Sequence, residues 1–398
     1  MPLRVGNLYT PMQNQQYRTQ IHSNINEIPS MEWDALVEDN HPFLKHGFLD
    51  ALEQHNCVSK RYGWVPHHIA IYDEQNTLVA ALPLYEKHNN YGEFVFDQAW
   101  EKAWNSIGLP YYPKLVSATP YTPVLGQRFL VQNTVTTEQQ NQLTNLLFNS
   151  MTDFCEQQEM SGAHVLFAKP NQQAWLSGQN NPSSYIRHDC QFHWNNQNYQ
   201  TFDDFLAQLK PKKRKNIRQE RKAIHATGIT YRILDGHTAT EKDWQDFDFF
   251  YQKTFIEKWS TPTLNLGFFQ SIAKSLADNI VLVLADLNDE CVAGALMFKS
   301  DTHLYGRHWG AARDIKHLHF EVCFYQGIEY AIKHKLQIFE PGAGGEHKIA
   351  RGFSPVSMQS THWLPINPFG EALDNFIEQE REGVETYMQE CITHTPYK

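Results

Sequence analysis

Ile69-Ala-Ile-Tyr-Asp73 followed by Val79-Ala-Ala-Leu-Pro-Leu-Tyr85 aligns without a gap with Leu282-Val-Leu-Ala-Asp286 and Val292-Ala-Gly-Ala-Leu-Met-Phe298, a little over 210 residues further along. In each copy two apolar runs flank a polar turn, Glu74 to Leu78 in the first and Leu287 to Cys291 in the second. That pattern reads as a β-hairpin. Upstream, Pro42-Phe-Leu-Lys-His-Gly-Phe-Leu49 matches Pro262-Thr-Leu-Asn-Leu-Gly-Phe-Phe269 at a slightly longer spacing. Two hairpins, each preceded by the same helix start, indicate a tandem duplication.

Outward from the repeat the pattern is mixed. Leu143, Leu146, Leu147, Met151 and Phe154 give helical spacing over 138–159, and an apolar strand follows at 164–168. The chain turns polar near 195–201, which reads as the boundary between halves. Beyond it the pattern predicts helices at 202–209, 211–227, 241–258, 266–278 and 320–333. Strands are predicted at 230–234, 302–309 and 337–340, besides the hairpin. Helices ahead of a hairpin-strand-helix-strand unit make an α+β domain on a largely antiparallel sheet. The division is 1–198, 199–374 and a polar helical tail, 375–398, with a loose end.

Composition narrows the class. The 398 residues are 41% apolar and 20% charged, as in globular proteins. With 24 Phe, 18 Tyr and 10 Trp the chain is not a solvated coil. No apolar run approaches the ~20 residues of a membrane span, and residues 1–10 show no secretory signal. Six scattered cysteines without a C-x-x-C pair suit free thiols in the cytoplasm. A net charge of −10 argues against DNA and requires a local patch for any polyanion.

Such a patch exists. From Lys210 to Lys222 eight of thirteen residues are basic and only Glu220 is acidic. Pro211 suits a first helical turn, and on helical spacing Ile217 and Ile224 share one face while Arg214, Arg218, Arg221 and Lys222 gather on another. Their single sign points to a phosphate-rich partner: a nucleotide, coenzyme A, an activated sugar or tRNA.

A second cluster runs Glu340-Pro-Gly-Ala-Gly-Gly-Glu-His-Lys-Ile-Ala-Arg-Gly-Phe353. Its glycines allow close backbone approach to a ligand. Glu346, His347, Lys348 and Arg351 then supply an acid, a base and two cations for proton transfer and anion binding. The Gly-Lys-Ser/Thr ending of a Walker loop is missing. A third stretch holds Tyr305, Arg307, His317, His319 and Glu321. Arg307-x-x-Gly310-x-Ala312 formally fits the pyrophosphate loop of acetyl-CoA-dependent acyltransferases. His317, His319, Glu321 and His347 make a possible ligand set, but with 20 histidines such groupings arise by chance, and no metal is expected. In the first half, the aromatic stretches at 91–97, 111–114 and 120–124 either line a cleft or pack the halves together. There is no Gly-x-Ser-x-Gly elbow or nucleophilic cysteine context, so covalent catalysis is not indicated.

These stretches, with Phe48-Leu-Asp-Ala-Leu-Glu53, Gly63-Trp-Val-Pro66, Tyr91-Gly-Glu-Phe-Val-Phe-Asp97, Tyr111-Tyr-Pro-Lys114, Gln191-Phe-His-Trp194, Lys213-Arg-Lys-Asn-Ile-Arg218 and Glu346-His-Lys-Ile-Ala-Arg-Gly-Phe353, make the chain resemble the FemAB-like branch of the GNAT acyltransferase superfamily. The resemblance implies a tandem pair of GNAT-like domains and transfer of an acyl or aminoacyl group to an amine, such as that of a cell-wall precursor. It implies acyl-CoA or aminoacyl-tRNA as co-substrate and no permanently bound cofactor. The expected catalytic residues are Glu346, His347 and Glu321. Those expected at the donor are Arg307, Lys348, Arg351, Lys213, Arg214, Arg218, His319 and Tyr305. The alternative is a non-catalytic module that recognises a cell-wall precursor or RNA.

Overall fold

A computed structural model describes residues 16–179 and 181–398; the reading of 1–10 lies outside them. The strands of the first half are β1 (Arg18–His22), β2 (Trp64–Pro66), β3 (His68–Tyr72), β4 (Leu78–Leu82), β5 (Tyr85–Lys87), β6 (Lys114–Ser117), β7 (Leu130–Val131), β8 (Ala163–Leu166) and β9 (Ser184–Asn195). Those of the second half are β10 (Thr230–Leu234), β11 (Ile280–Leu287), β12 (Glu290–Lys299), β13 (His303–Ala311), β14 (Ile338–Glu340) and β15 (Ser354–Trp363).

The two repeated hairpins are β3-β4 and β11-β12, both antiparallel. They read as continuous apolar runs because both faces are buried. One face of each, with Ala70, Tyr72, Leu284 and Phe298, joins a core shared by the two halves. The opposite face of the first packs on the helix Thr137–Gln157 through Ile69, Ile71 and Leu143. That of the second packs Val281 and Val283 with Ile217, Val322 and Ile328. Each hairpin carries a bulge, between Ile71 and Tyr72 and between Ala285 and Asp286. Matching the bulges shifts the first strands by one residue from the gapless alignment, because the first turn is longer. The second is tight, with Asn288 and Asp289 both at positive φ.

The helices that follow the repeated helix starts, His46–Gln54 and Leu266–Ser275, pack against each other. The contact is reciprocal. Phe48 meets its counterpart Phe268 edge-on, with ring centroids 5.6 Å apart. A Cβ on Gly47 would lie 2.7 Å from Ser275, and one on Gly267 2.5 Å from His55, its counterpart across the repeat. Residue i on j and j on i is the mark of a twofold relation.

Both halves then make a strand-helix-strand step with parallel pairing, β6 with β8 and β13 with β14. The closing strands are exchanged. β9 of the first half pairs with β14 of the second, β15 of the second pairs with β8 of the first, and β9 pairs with β15. One sheet of eleven strands results, in the order β10-β11-β12-β13-β14-β9-β15-β8-β6-β5-β2, beside a four-stranded sheet β1-β3-β4-β7. The architecture is the expected α+β tandem pair, and the polar stretch near 195–201 directly follows β9.

The tail differs from its reading. Its helix, Glu371–Thr393, starts earlier and buries Leu373 and Cys391. Arg187 clamps it through Glu380. The last residues are docked: Lys210 N–H donates to Pro396 O at 2.8 Å and Tyr397 Oη to Gly352 O at 2.7 Å. Among the described residues no helix is long and apolar enough to cross a membrane.

Candidate functional site

The second half opens where its parallel pair separates. β13 and β14 pair only from His303 with Ile338 to Tyr305 with Glu340. Beyond Tyr305, β13 runs on to Ala311, while the other chain turns off at Pro341 into the glycine loop. A cleft of about 760 Å³ lies at this split. Its second-half lining includes Arg307, His308, His319, His347, Lys348 and the loop 341–345, and its first-half lining includes Tyr91, Phe94, Val95 and Phe96. The aromatic stretch at 91–97 therefore lines the cleft, and its Tyr91 Oη also reaches the other half, donating to Thr261 O at 2.9 Å. A cleft at the carboxyl end of parallel strands, with convergent polar groups, is a default ligand site.

Arg307 projects from β13 into the cleft region over the Phe43 ring, 4.9 Å from its centroid. Its Nη1 donates to Gly306 O at 2.6 Å, while buried Nε and Nη2 have no partner. Desolvation pulls its pKa down to about 10, opposed by the field of buried Glu340. Lys348, also buried, donates to Gly342 O at 2.6 Å and Ala343 O at 3.2 Å, and burial and Arg307 lower its pKa to about 8. The grip has a geometric consequence. In a planar trans peptide the N–H points opposite the C=O, so the amides of Ala343 and Gly344 point away from Lys348. None of the N–H groups from Gly342 to Gly345 donates to another described residue. Gly342, Gly344 and Gly345 all sit at positive φ, which explains the glycines.

Three imidazoles border this surface. His347 touches Phe324 and His319, with centroids 5.7 and 6.2 Å away. Partial desolvation, then Lys348 and Arg351, lower its pKa, so it is neutral at neutral pH. Burial takes His319 down to about 4 and His308 to about 3. Phe324 and Cys323 belong to a π-helical turn, Glu321–Tyr325, inside what the sequence reads as one helix over 320–333. Such turns often mark functional sites.

The other expected residues lie elsewhere. Glu321 is buried under the basic helix, held by Arg221 Nη2 at 2.9 Å and Nε at 3.1 Å and by Gln326 at 2.8 Å. That removes the carboxylate from the ligand set suggested with His317, His319 and His347. Glu346 is exposed and accepts from Tyr387 Oη at 3.2 Å. Arg351 stacks on Phe320 and pairs with Glu220 at 3.0 Å. Tyr305 is core, stacked on His303. Arg307 and Gly310 lie within a strand, not on a loop before a helix, so they form no pyrophosphate loop. Gly310 is needed for packing: a Cβ there would lie 2.2 Å from Phe250 O.

The basic helix spans Pro211–His225 and buries Ile217 and Ile224, one face seven residues apart. Arg218 pairs with Asp203, whereas Lys213 and Arg214 have no ion pair among the described residues. None of these three lines the cleft.

The sequence reading missed His308, next to Arg307 on β13, and the cations that hold the cleft wall. Lys114 is fully buried between Glu93, at 2.9 Å, and Asp97, to which Tyr111 also donates at 2.6 Å. The Coulombic pull of both carboxylates outweighs desolvation and raises its pKa. Lys87 donates to Tyr91 O at 3.0 Å and Arg187 to Phe96 O at 3.0 Å. The signal was two acids, Glu93 and Asp97, flanking the apolar run Phe94-Val95-Phe96, the acids turned inward and the apolar run to the cleft.

Comparison with known proteins places this geometry. Among solved structures, FemX superposes with a TM-score of 0.53 at 12% identity, covering 91% of this chain and 100% of FemX. A C-terminal domain assigned to lysylphosphatidylglycerol synthetase in Agrobacterium fabrum gives 0.52 at 7% identity, over 88% and 95% of the two chains. A conserved protein of unknown function from Bacteroides thetaiotaomicron gives 0.50 at 11% identity, over 87% and 100%. No curated protein sequence matches the chain. These likenesses show the fold, and a match of residues 24–398 to a family model shows the family: the chain belongs to the FemAB-like proteins of peptidoglycan biosynthesis and recognition.

Proposed function

We propose that this protein is an N-acyltransferase, moving an acyl or aminoacyl group from a phosphate-bearing donor to an amine, with the chemistry in the second-half cleft. One observation carries the reading: a single cleft gathers a neutral imidazole at His347, free amides of the glycine loop and the guanidinium of Arg307, whose Nε and Nη2 are unpartnered.

The amine nitrogen forms a bond to the activated carbonyl carbon as His347 takes the amine proton, directly or through one water. The carbonyl oxygen becomes an oxyanion, stabilised by Arg307 and the loop amides. Collapse breaks the bond to the donor's sulfur or oxygen, which leaves with a proton. No acyl-enzyme is required. Glu321 and Glu346 are not given the proton: one is held by Arg221, the other lies outside the cleft lining.

Lys213 and Arg214, unpaired on the basic helix, bind donor phosphates in this reading, for acyl-CoA and charged tRNA alike. The family description favours a cell-wall precursor as acceptor, and this reading puts the reaction in the cytoplasm. The test is transfer of a labelled acyl or aminoacyl group, from acetyl-CoA, a longer acyl-CoA and charged tRNA, to amine acceptors including a stem peptide. Labelled product, lost in His347→Gln, is expected. Binding without transfer from every donor would instead favour the recognition module.

A further inference from the structure

The cleft is built for more than a small acyl group. Its first-half wall, Phe94-Val95-Phe96, is apolar, and Phe255 and Phe324 extend the apolar surface from the second half. At the mouth, Phe96 is 69% exposed, and Trp259, beside the lining residues Lys258 and Ser260, is 98% exposed in a left-handed conformation.

The wall is also prevented from collapsing. Lys87 holds the carbonyl of Tyr91, Lys114 grips Glu93 and Asp97, and Arg187 holds the carbonyl of Phe96. All three cations are themselves buried or largely buried. A two-carbon group would leave most of a 760 Å³ cleft wet. A long hydrocarbon would remove these apolar walls from water, while its polar end met the guanidinium of Arg307, whose Nε and Nη2 lack partners.

We propose that the group accommodated is an extended apolar acyl chain, its carbonyl or carboxylate end at Arg307 and its hydrocarbon against Phe94–Phe96. The proposal rests on the acyl-transfer reading and names its substrate class.

The test is calorimetric titration of the full chain with acetate, octanoate and dodecanoate at fixed salt, below micelle concentrations. Affinity is expected to rise about two- to fourfold per methylene until the wall is covered. Phe96→Ala and Phe94→Ala are expected to weaken dodecanoate and leave acetate unchanged. Arg307→Gln is expected to weaken all three by one factor. Phe249→Ala, exposed on the helix that carries Phe255 but outside the cleft, is expected to change nothing. Undetectable dodecanoate binding, affinity independent of chain length, or an equal loss in Phe249→Ala overturns the proposal. Chain-length-dependent binding without amine acylation would instead overturn the transfer reading, and with it the substrate role, while leaving the apolar chain site standing.

Discussion

The two copies of the fold have treated the same parallel strand pair differently. In the first half, β6 carries Lys114, sealed between Glu93 and Asp97 with no exposed surface. In the second, β13 carries Arg307, whose Nε and Nη2 remain unpartnered at a cleft. One buried cation is neutralised by the protein's own carboxylates; the other is left for a ligand. The difference teaches how a duplicated domain divides labour: one copy becomes scaffold and wall, and the other keeps an unsatisfied cation at the cleft, where the proposed function puts the chemistry.

The largest effect expected from breaking this contrast is on the scaffold side. Lys114→Met leaves two buried carboxylates without their cation, at a cost of about 3–5 kcal/mol. Equilibrium unfolding in urea measures it, and a loss below about 1 kcal/mol would deny the first half its structural role. Arg307→Gln is the opposite case. Turnover should fall about 10²–10³-fold, as for loss of an oxyanion donor, with the unfolding midpoint nearly unchanged. A comparable fall in stability would make Arg307 a second Lys114.

The shared helix contact sharpens the comparison from the other direction. Gly47→Val and Gly267→Val both overpack the contact between the halves and should each cost about 1–3 kcal/mol. The twofold relation predicts similar values, read from paired denaturation curves. A large cost at one site alone would show that the relation is only approximate there.

Smaller still is the pH effect. A neutral base is lost on protonation, so kcat/KM should be flat near neutrality and fall on acidification. If His347 is the base, the midpoint lies below the usual 6.5, because partial desolvation, then Lys348 and Arg351, disfavour its charged form. The position of that limb, and its removal in His347→Gln, identify the imidazole. Least in size, Arg214→Glu should weaken donor binding and flatten its dependence on salt. An unchanged salt slope would return the basic helix to simple solvation.

How much of this was legible in the sequence follows from range. The hairpins, the helix 137–157 and the basic helix are local patterns, and their residues announce them through period and charge. β9 and β15 do not, because residues such as Arg187 and His362 break their alternation, and the groups that accommodate them, Glu380 for Arg187 and the Trp100 and His164 rings for His362, lie far along the chain. The glycine loop was visible as composition, but Lys348 could be understood only once its bonds to Gly342 and Ala343 were seen. Glu321 shows the converse. Its neighbours suggested chemistry, yet Arg221, 100 residues away in sequence, claims its carboxylate.

The division of labour is tested most directly by hydrogen exchange of the full chain alone and with acetyl-CoA, a long-chain acyl-CoA, charged tRNA and uncharged tRNA. Slowed exchange at 341–348 with the true donor, accompanied by protection of 91–97, is the predicted result. Protection confined to residues away from the cleft, or none at those two segments with any of the four, would contradict it.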